Sequence, residues 1–189
     1  MKEPIKMPNG KHYIELLSYG ERHAPGPVVS LAMKHFAGRN PSILEIGVLR
    51  GHNAEVMYNA LHPSLMVLVD PWDFYGNETH DSNWADVWYR VQNKPEIIVI
   101  KGTSEKAWSI LDPKLCFDLI YLDGDHLPDG FNLDLKLWSD RVNIGGIYSG
   151  HDYNFPNIEE SVNKKFGDRV HSSATADRTL GGEEWWVFM

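Results

Sequence analysis

The sequence predicts an α/β domain with a doubly wound, mostly parallel sheet, on three observations. Short, nearly continuous apolar runs recur along the chain, amphipathic stretches of helical length separate them, and acidic residues stand where the runs stop. The runs are 43–46, 65–69, 97–100, 117–122 and 146–148. Rich in β-branched residues and almost unbroken in apolarity, they read as strands buried on both faces. Alternation with helical segments then implies parallel order.

Taken in order, residues 1–25 look loosely structured and 28–36 read as a helix ahead of the first strand. Beyond that strand, Met57, Ala60 and Leu61 share one helical face, and Asn53 is placed to cap its start. The stretch 71–88 carries Trp72, Phe74, Tyr75, Trp84 and Trp88. It is too aromatic for a bland linker and suits a pocket wall. Residues 131–137 alternate as a strand would, yet Phe131, Leu135 and Trp138 also make a helical stripe. Pro128 fits a first helical turn and a parallel sheet needs a crossover there, so a helix is expected. Residues 183–189 read as a final strand.

At 189 residues the chain fits one domain with a real core. A formal charge of −8 argues against a nucleic-acid backbone as partner and suits a cationic small ligand slightly better. The single cysteine, Cys116, cannot form an internal disulfide, and its apolar neighbours suggest a core thiol in a reducing compartment. The opening residues show no secretory signal, and no run approaches the ~18 apolar residues of a membrane span. The expectation is a cytoplasmic protein that meets neither membrane nor nucleic acid.

In open α/β sheets ligands bind outside the carboxyl ends of the strands. Here the first run carries Glu45 and stops at Gly47, the second stops at Asp70, the fourth at Asp123 and the fifth at His151-Asp152, while the third ends in Gly102-Thr103-Ser104. Buried strands exclude unpaired charge, so several acids along one rim point to a polar ligand. The loop from Glu45 to Gly51 has the form E-x-G-x-x-x-G, and its glycines permit close backbone approach. It lacks the paired glycines of a dinucleotide site, which disfavours an NAD oxidoreductase. Leu127 and Pro128 break an EF-hand pattern, and the lack of cysteines excludes a structural zinc site.

With these residues in place the chain resembles the class I S-adenosylmethionine (SAM)-dependent methyltransferases over residues 28–189. The second half is most similar to small-molecule O-methyltransferases, of the sugar, natural-product and catechol types. That likeness rests on Tyr121-Leu122-Asp123-Gly124-Asp125-His126 and on the run from Gly145 to Tyr153, GGIYSGHDY. It implies a single Rossmann-like domain with a seven-stranded sheet and a final antiparallel strand. The small size leaves little room for a separate cap domain, so residues 1–27, as a lid, and the aromatic 71–88 stretch are expected to supply acceptor contacts. The resemblance implies that Glu45, Gly47 and Gly51 line the methionine part of SAM and that Asp70 holds the ribose. The Gly102-Thr103-Ser104 turn would border the adenine, with Ile46, Pro71, Trp72, Asp123 and Gly124 completing the wall. Asn53 replaces a frequent serine and can still donate to the cofactor carboxylate.

Catechol-type relatives also hold a divalent ion, and the matching positions here are Asp123, His151 and Asp152, with Asp125 able to replace one. Two carboxylates and an imidazole accept Mg²⁺, Mn²⁺ or a softer ion, the histidine tilting the set away from Mg²⁺. His126 stands where those relatives carry a catalytic lysine, and an imidazole near pKa 6.5 suits a general base. His151 and Tyr153 are alternative proton acceptors, and a helix-capping role for His126 stays open. Asp123, His126 and His151 are thus the expected catalytic residues, acting on a hydroxylated small-molecule acceptor. The other class of function that fits is a SAM- or nucleotide-binding domain without turnover. An exposed apolar end, 185–189, would suit a homodimer seam.

Overall fold

The computed structural model describes residues 24–73, 77–173 and 183–189, without the side chains of 77–81. The expected lid, apart from 24–27, and the aromatic residues Phe74 and Tyr75 lie outside them.

Helix α1 (Pro27–His35) precedes β1 (Ser42–Ile46), α2 (His52–Leu61), β2 (Leu65–Asp70), α3 (Asn77–Val91) and β3 (Ile97–Lys101). Then come α4 (Ser104–Ile110), β4 (Phe117–Leu122), α5 (Pro128–Ser139), β5 (Val142–Gly150), α6 (Pro156–Phe166), β6 (His171–Ser172) and β7 (Trp185–Phe188). Among the described residues the strands form one seven-stranded sheet in the order β3-β2-β1-β4-β5-β7-β6. The pairs from β3 to β5 are parallel, and β7 runs antiparallel between β5 and β6. This is the Rossmann-like, mostly parallel sheet that the sequence led us to expect.

The two faces carry separate apolar layers. Ile43, Met66, Leu68, Leu119 and Tyr121 pack against α1, α2 and α3. Leu44, Ile46, Val67, Ile120 and Leu122 pack against α4, α5 and α6. Strand alternation explains the division, since successive side chains of β1 point to opposite faces. Glu45 therefore enters the same layer as Ile43.

The doubtful segment 131–137 lies within helix α5, with Pro128 in its first turn and Phe131, Leu135 and Trp138 buried. Two local expectations need correction, and one strand went unforeseen. Gly51, in the left-handed region at φ 75°, is the N-cap of α2, whereas Asn53 lies inside the first turn and turns its side chain away from the helix end. β6 spans two residues and carries no apolar run, so it left no mark in the sequence pattern. Of the proposed seam, Trp185 and Val187 are fully buried in the core, which leaves Phe188 as the exposed ring. Cys116 is half-buried.

The strand order reverses between β1 and β4, so the loops after these strands diverge and open a crevice. Gly47 lines it at φ 83°, where a Cβ would stand 1.9 Å from the Asp123 carbonyl oxygen. Only glycine allows the two strand ends to approach this closely.

Candidate active site

Glu45 is the most deeply buried acid on the rim. Its Oε1 accepts a hydrogen bond from Asn53 Nδ2 at 2.9 Å, while its Oε2 is buried with no partner. Burial pushes its carboxyl well above the usual carboxylate range, with Asp123 and Asp70 adding repulsion. Asn53 thus serves Glu45, a use that its position in the helix did not suggest.

Asp70, at the end of β2, is tied to the loop after β1. Its Oδ2 accepts the backbone N–H groups of Val48 at 2.9 Å and Leu49 at 2.8 Å, and its Oδ1 accepts that of Trp72 at 2.7 Å. Trp72 is buried at φ 46°, donates its indole N–H to the Leu49 carbonyl and packs edge-on against Trp84. Pro71 is half-buried beside it, while Trp88 is exposed. The aromatic stretch therefore clamps the first loop with one tryptophan, and its last ring faces solvent.

After β3, Thr103 caps α4 by accepting from the Lys106 N–H at 3.3 Å. Ser104 Oγ accepts the Trp138 indole N–H at 2.7 Å and hydrogen-bonds Asp134. Gly102 donates its N–H to the Asp70 carbonyl at 3.0 Å, which holds the ends of β2 and β3 together. Ile46 is buried, and its Cγ2 stands 3.2 Å from the place a Cβ of Gly124 would occupy.

At the ends of β4 and β5 a second group forms. His126 Nε2 lies 2.5 Å from Asp152 Oδ2 and 3.7 Å from Asp123 Oδ1. His151 Nδ1 lies 3.2 Å from Asp152 Oδ1 and 3.7 Å from Asp123 Oδ1. Asp152 itself sits in the left-handed region at φ 56°, a strained backbone that these contacts hold in place.

The neighbouring carboxylates of Asp123 and Asp152 lift the His126 imidazole to about 10, so it is a cation at neutral pH. The Asp152 hydrogen bond raises His151 in the same sense. Burial opposes ionisation of Asp152, yet bonds from both histidines outweigh it and hold this carboxyl below the ordinary range. Burial raises the carboxyl of Asp123, only partly offset by His126.

Asp123, His126 and Asp152 each offer a ligand atom, all within 4.8 Å of one another. The histidine in this group is His126, where the resemblance implied His151, which stands at the edge. Asp125 turns the other way, its Oδ1 accepting the Leu127 N–H at 2.8 Å. The imidazole expected as a free base is, in this arrangement, a cation held between two carboxylates.

Glu183 and Glu184 precede β7, and the sequence pattern marks them only as the start of the final strand, with no role in the site. Because β7 is antiparallel, its start lies at the rim, with Trp185 opposite Gly150. Glu184 Oε1 accepts from the Tyr121 hydroxyl at 2.8 Å and its Oε2 from the Val28 N–H at 2.6 Å. Both oxygens of Glu183 are buried without a partner. No spacing rule could have found either, since their neighbours lie on distant elements.

The fold matches that of an O-methyltransferase from Bacillus cereus crystallised with SAH (S-adenosylhomocysteine), at 15% identity and a TM-score of 0.62, over 93% of this chain and 87% of that one. It also matches TomG from Streptomyces achromogenes, an O-methyltransferase of tomaymycin synthesis in complex with SAM, at 14% and 0.61, over 93% and 85%. An rRNA methylase from Streptococcus thermophilus aligns at 7% and 0.64, over 88% and 98%. Likenesses this distant establish the fold alone. No curated protein matches the chain in sequence. The family model described as "Methyltransferase domain" matches residues 44–153, the span from β1 to the turn after β5 that holds Glu45, Asp70, Asp123, Asp152 and both rim histidines. The chain belongs to the methyltransferase-domain family.

Proposed function

We propose that this chain transfers the methyl group of SAM to a hydroxyl of a small polar acceptor. The observation that carries the reading is the convergence of Glu45, Asp70 and Asp123 on adjacent strand ends, with Glu45 Oε2 buried and unpartnered. Burying carboxyls side by side is costly unless a cation or a donor joins them. SAM brings an ammonium, a sulfonium and two ribose hydroxyls. The ammonium suits Glu45 from the α2 side. Asp70 has about four acceptor positions, three of them filled by backbone donors, and so retains capacity for the ribose.

Methyl transfer is an in-line displacement: the acceptor oxygen forms a bond to the methyl carbon, the carbon–sulfur bond breaks, and the electron pair leaves on sulfur. The acceptor must also lose its proton. Asp123, with its carboxyl raised by burial, is a better proton acceptor than Asp152. The donor set of Asp123, His126 and Asp152 also fits a divalent cation, which when bound would acidify a coordinated hydroxyl. His126 must shed its proton to act as a ligand there, so the site should bind metal more tightly as pH rises. Orientation of the acceptor against the methyl supplies much of the rate in either case.

No helix among the described residues is long and apolar enough to cross a membrane, and the charge of −8 disfavours an RNA acceptor. The test is titration calorimetry with SAM, followed by incubation with labelled SAM and a panel of hydroxylated small molecules, with and without EDTA. Binding of SAM and label transfer to a hydroxyl are expected. Failure to bind SAM would sink the proposal, and full activity in excess EDTA would remove the metal from it.

A further inference from the structure

Asp134 is a buried carboxylate, 6% exposed, midway along α5 among Phe131, Leu135 and Trp138. The site described above does not use it. It hydrogen-bonds Ser104, whose Oγ accepts the Trp138 indole N–H. Its Oδ2 lies 3.4 Å from where a Cβ of Gly124 would stand, beside Ile46. The carboxylate therefore lies against the end of β4, at the crevice where strand order reverses, and a side chain at position 124 would press on it. An ionised carboxylate offers about four acceptor positions, and Ser104 supplies one donor, so this buried group has spare acceptor capacity. Structural need alone does not call for a charge here, since asparagine could receive the same bond from Ser104.

We propose that Asp134 accepts a hydrogen bond from the exocyclic amino group of the cofactor's adenine and so selects a 6-amino purine. The assignment rests on the SAM reading above. Of the donors that SAM carries, the ammonium suits Glu45 on the α2 side and the ribose hydroxyls suit Asp70 at the end of β2. The amino group remains, and Asp134 and Ser104 belong to the opposite, α4–α5 side of the sheet. An amino group donates where a carboxylate accepts, whereas the carbonyl of a deaminated purine would face it oxygen to oxygen. Selectivity thus arises from an unpaired polar group in the wrong ligand.

The experiment compares SAH with S-inosylhomocysteine, its deaminated counterpart, by titration calorimetry. Wild-type protein should prefer SAH by about tenfold or more. Asp134→Asn keeps the size and the Ser104 bond but can present an amide N–H to the ligand, so the preference should collapse. Retention of the wild-type preference in this variant would overturn the assignment. Should the variant fail to fold, the wild-type protein still decides. Burial pushes the Asp134 carboxyl up to about 6, with Asp125 and Glu105 adding repulsion, so the preference should fade as pH drops from neutral to well below that value. A preference that stays flat across this range, or equal affinity for the two ligands at neutral pH, would overturn the assignment. Wild-type protein that binds neither ligand would overturn the SAM reading and this one with it.

Discussion

Asp70 joins the ends of β1 and β2 through three backbone bonds, so a change there reaches both the loop and any ligand resting on it. Asp70→Ala should lower SAM affinity at least tenfold and also reduce thermal stability, because Val48 and Leu49 lose their acceptor; unchanged affinity in calorimetry would remove it from the ribose site. Gly47 is constrained differently. A Cβ at this position would meet the Asp123 carbonyl at 1.9 Å, in a backbone conformation that L side chains rarely adopt. Gly47→Ala should cost more than about 2 kcal/mol, read as a shift in a urea melt, and a wild-type melt would mean that the strand ends can separate freely. At this scale the sequence showed where Glu45, Asp70 and Asp123 stand on the strands, because an acid inside or at the end of an apolar run is conspicuous. It could not show that His126 is a cation, since that property comes from Asp123 together with Asp152, which lies on a different loop.

The elements depend on ties that span the chain. Glu184, just before β7, accepts from the Val28 N–H at the start of α1 and from the Tyr121 hydroxyl on β4, fastening three elements with one carboxylate. Glu184→Ala should cost about 2–5 kcal/mol, because it leaves two buried donors unpaired, whereas Glu184→Gln should cost less, since its amide oxygen still accepts one bond. Equal melts for the two variants would show that the carboxylate is not the fastening. Strands β1, β2 and β4 were legible because burial on both faces writes a continuous apolar run into the sequence, whereas β3 kept such a run although Ile98 is exposed at the sheet edge, and β5 showed only its buried second half. β6 was not, because its place is set by pairing with β7 rather than by its own residues. Helix α5 could be read either as strand or as helix, and the need to cross over between parallel strands decided it correctly.

For the molecule as a whole, pH is the informative variable. The folded state raises the His126 pKa from its ordinary value to about 10, so the stabilisation is complete below the unfolded value and fades as pH climbs through the folded one. Metal-free protein should lose melting temperature in that alkaline range, and His126→Gln should flatten the loss; parallel profiles for the two proteins would dissociate the cluster from stability. Glu45 contributes the opposite kind of linkage to a ligand. Burial raises its carboxyl well above the usual carboxylate range, and an arriving ammonium would favour the ionised form. Association would then lower this pKa and expel whatever proton the carboxyl held. The heat released on mixing would accordingly depend on the buffer that captures it, with Tris and phosphate giving unequal enthalpies for the same complex, and affinity would rise toward alkaline conditions. One carboxyl oxygen without a partner in the fold thereby makes the occupancy of this protein a function of the acidity around it.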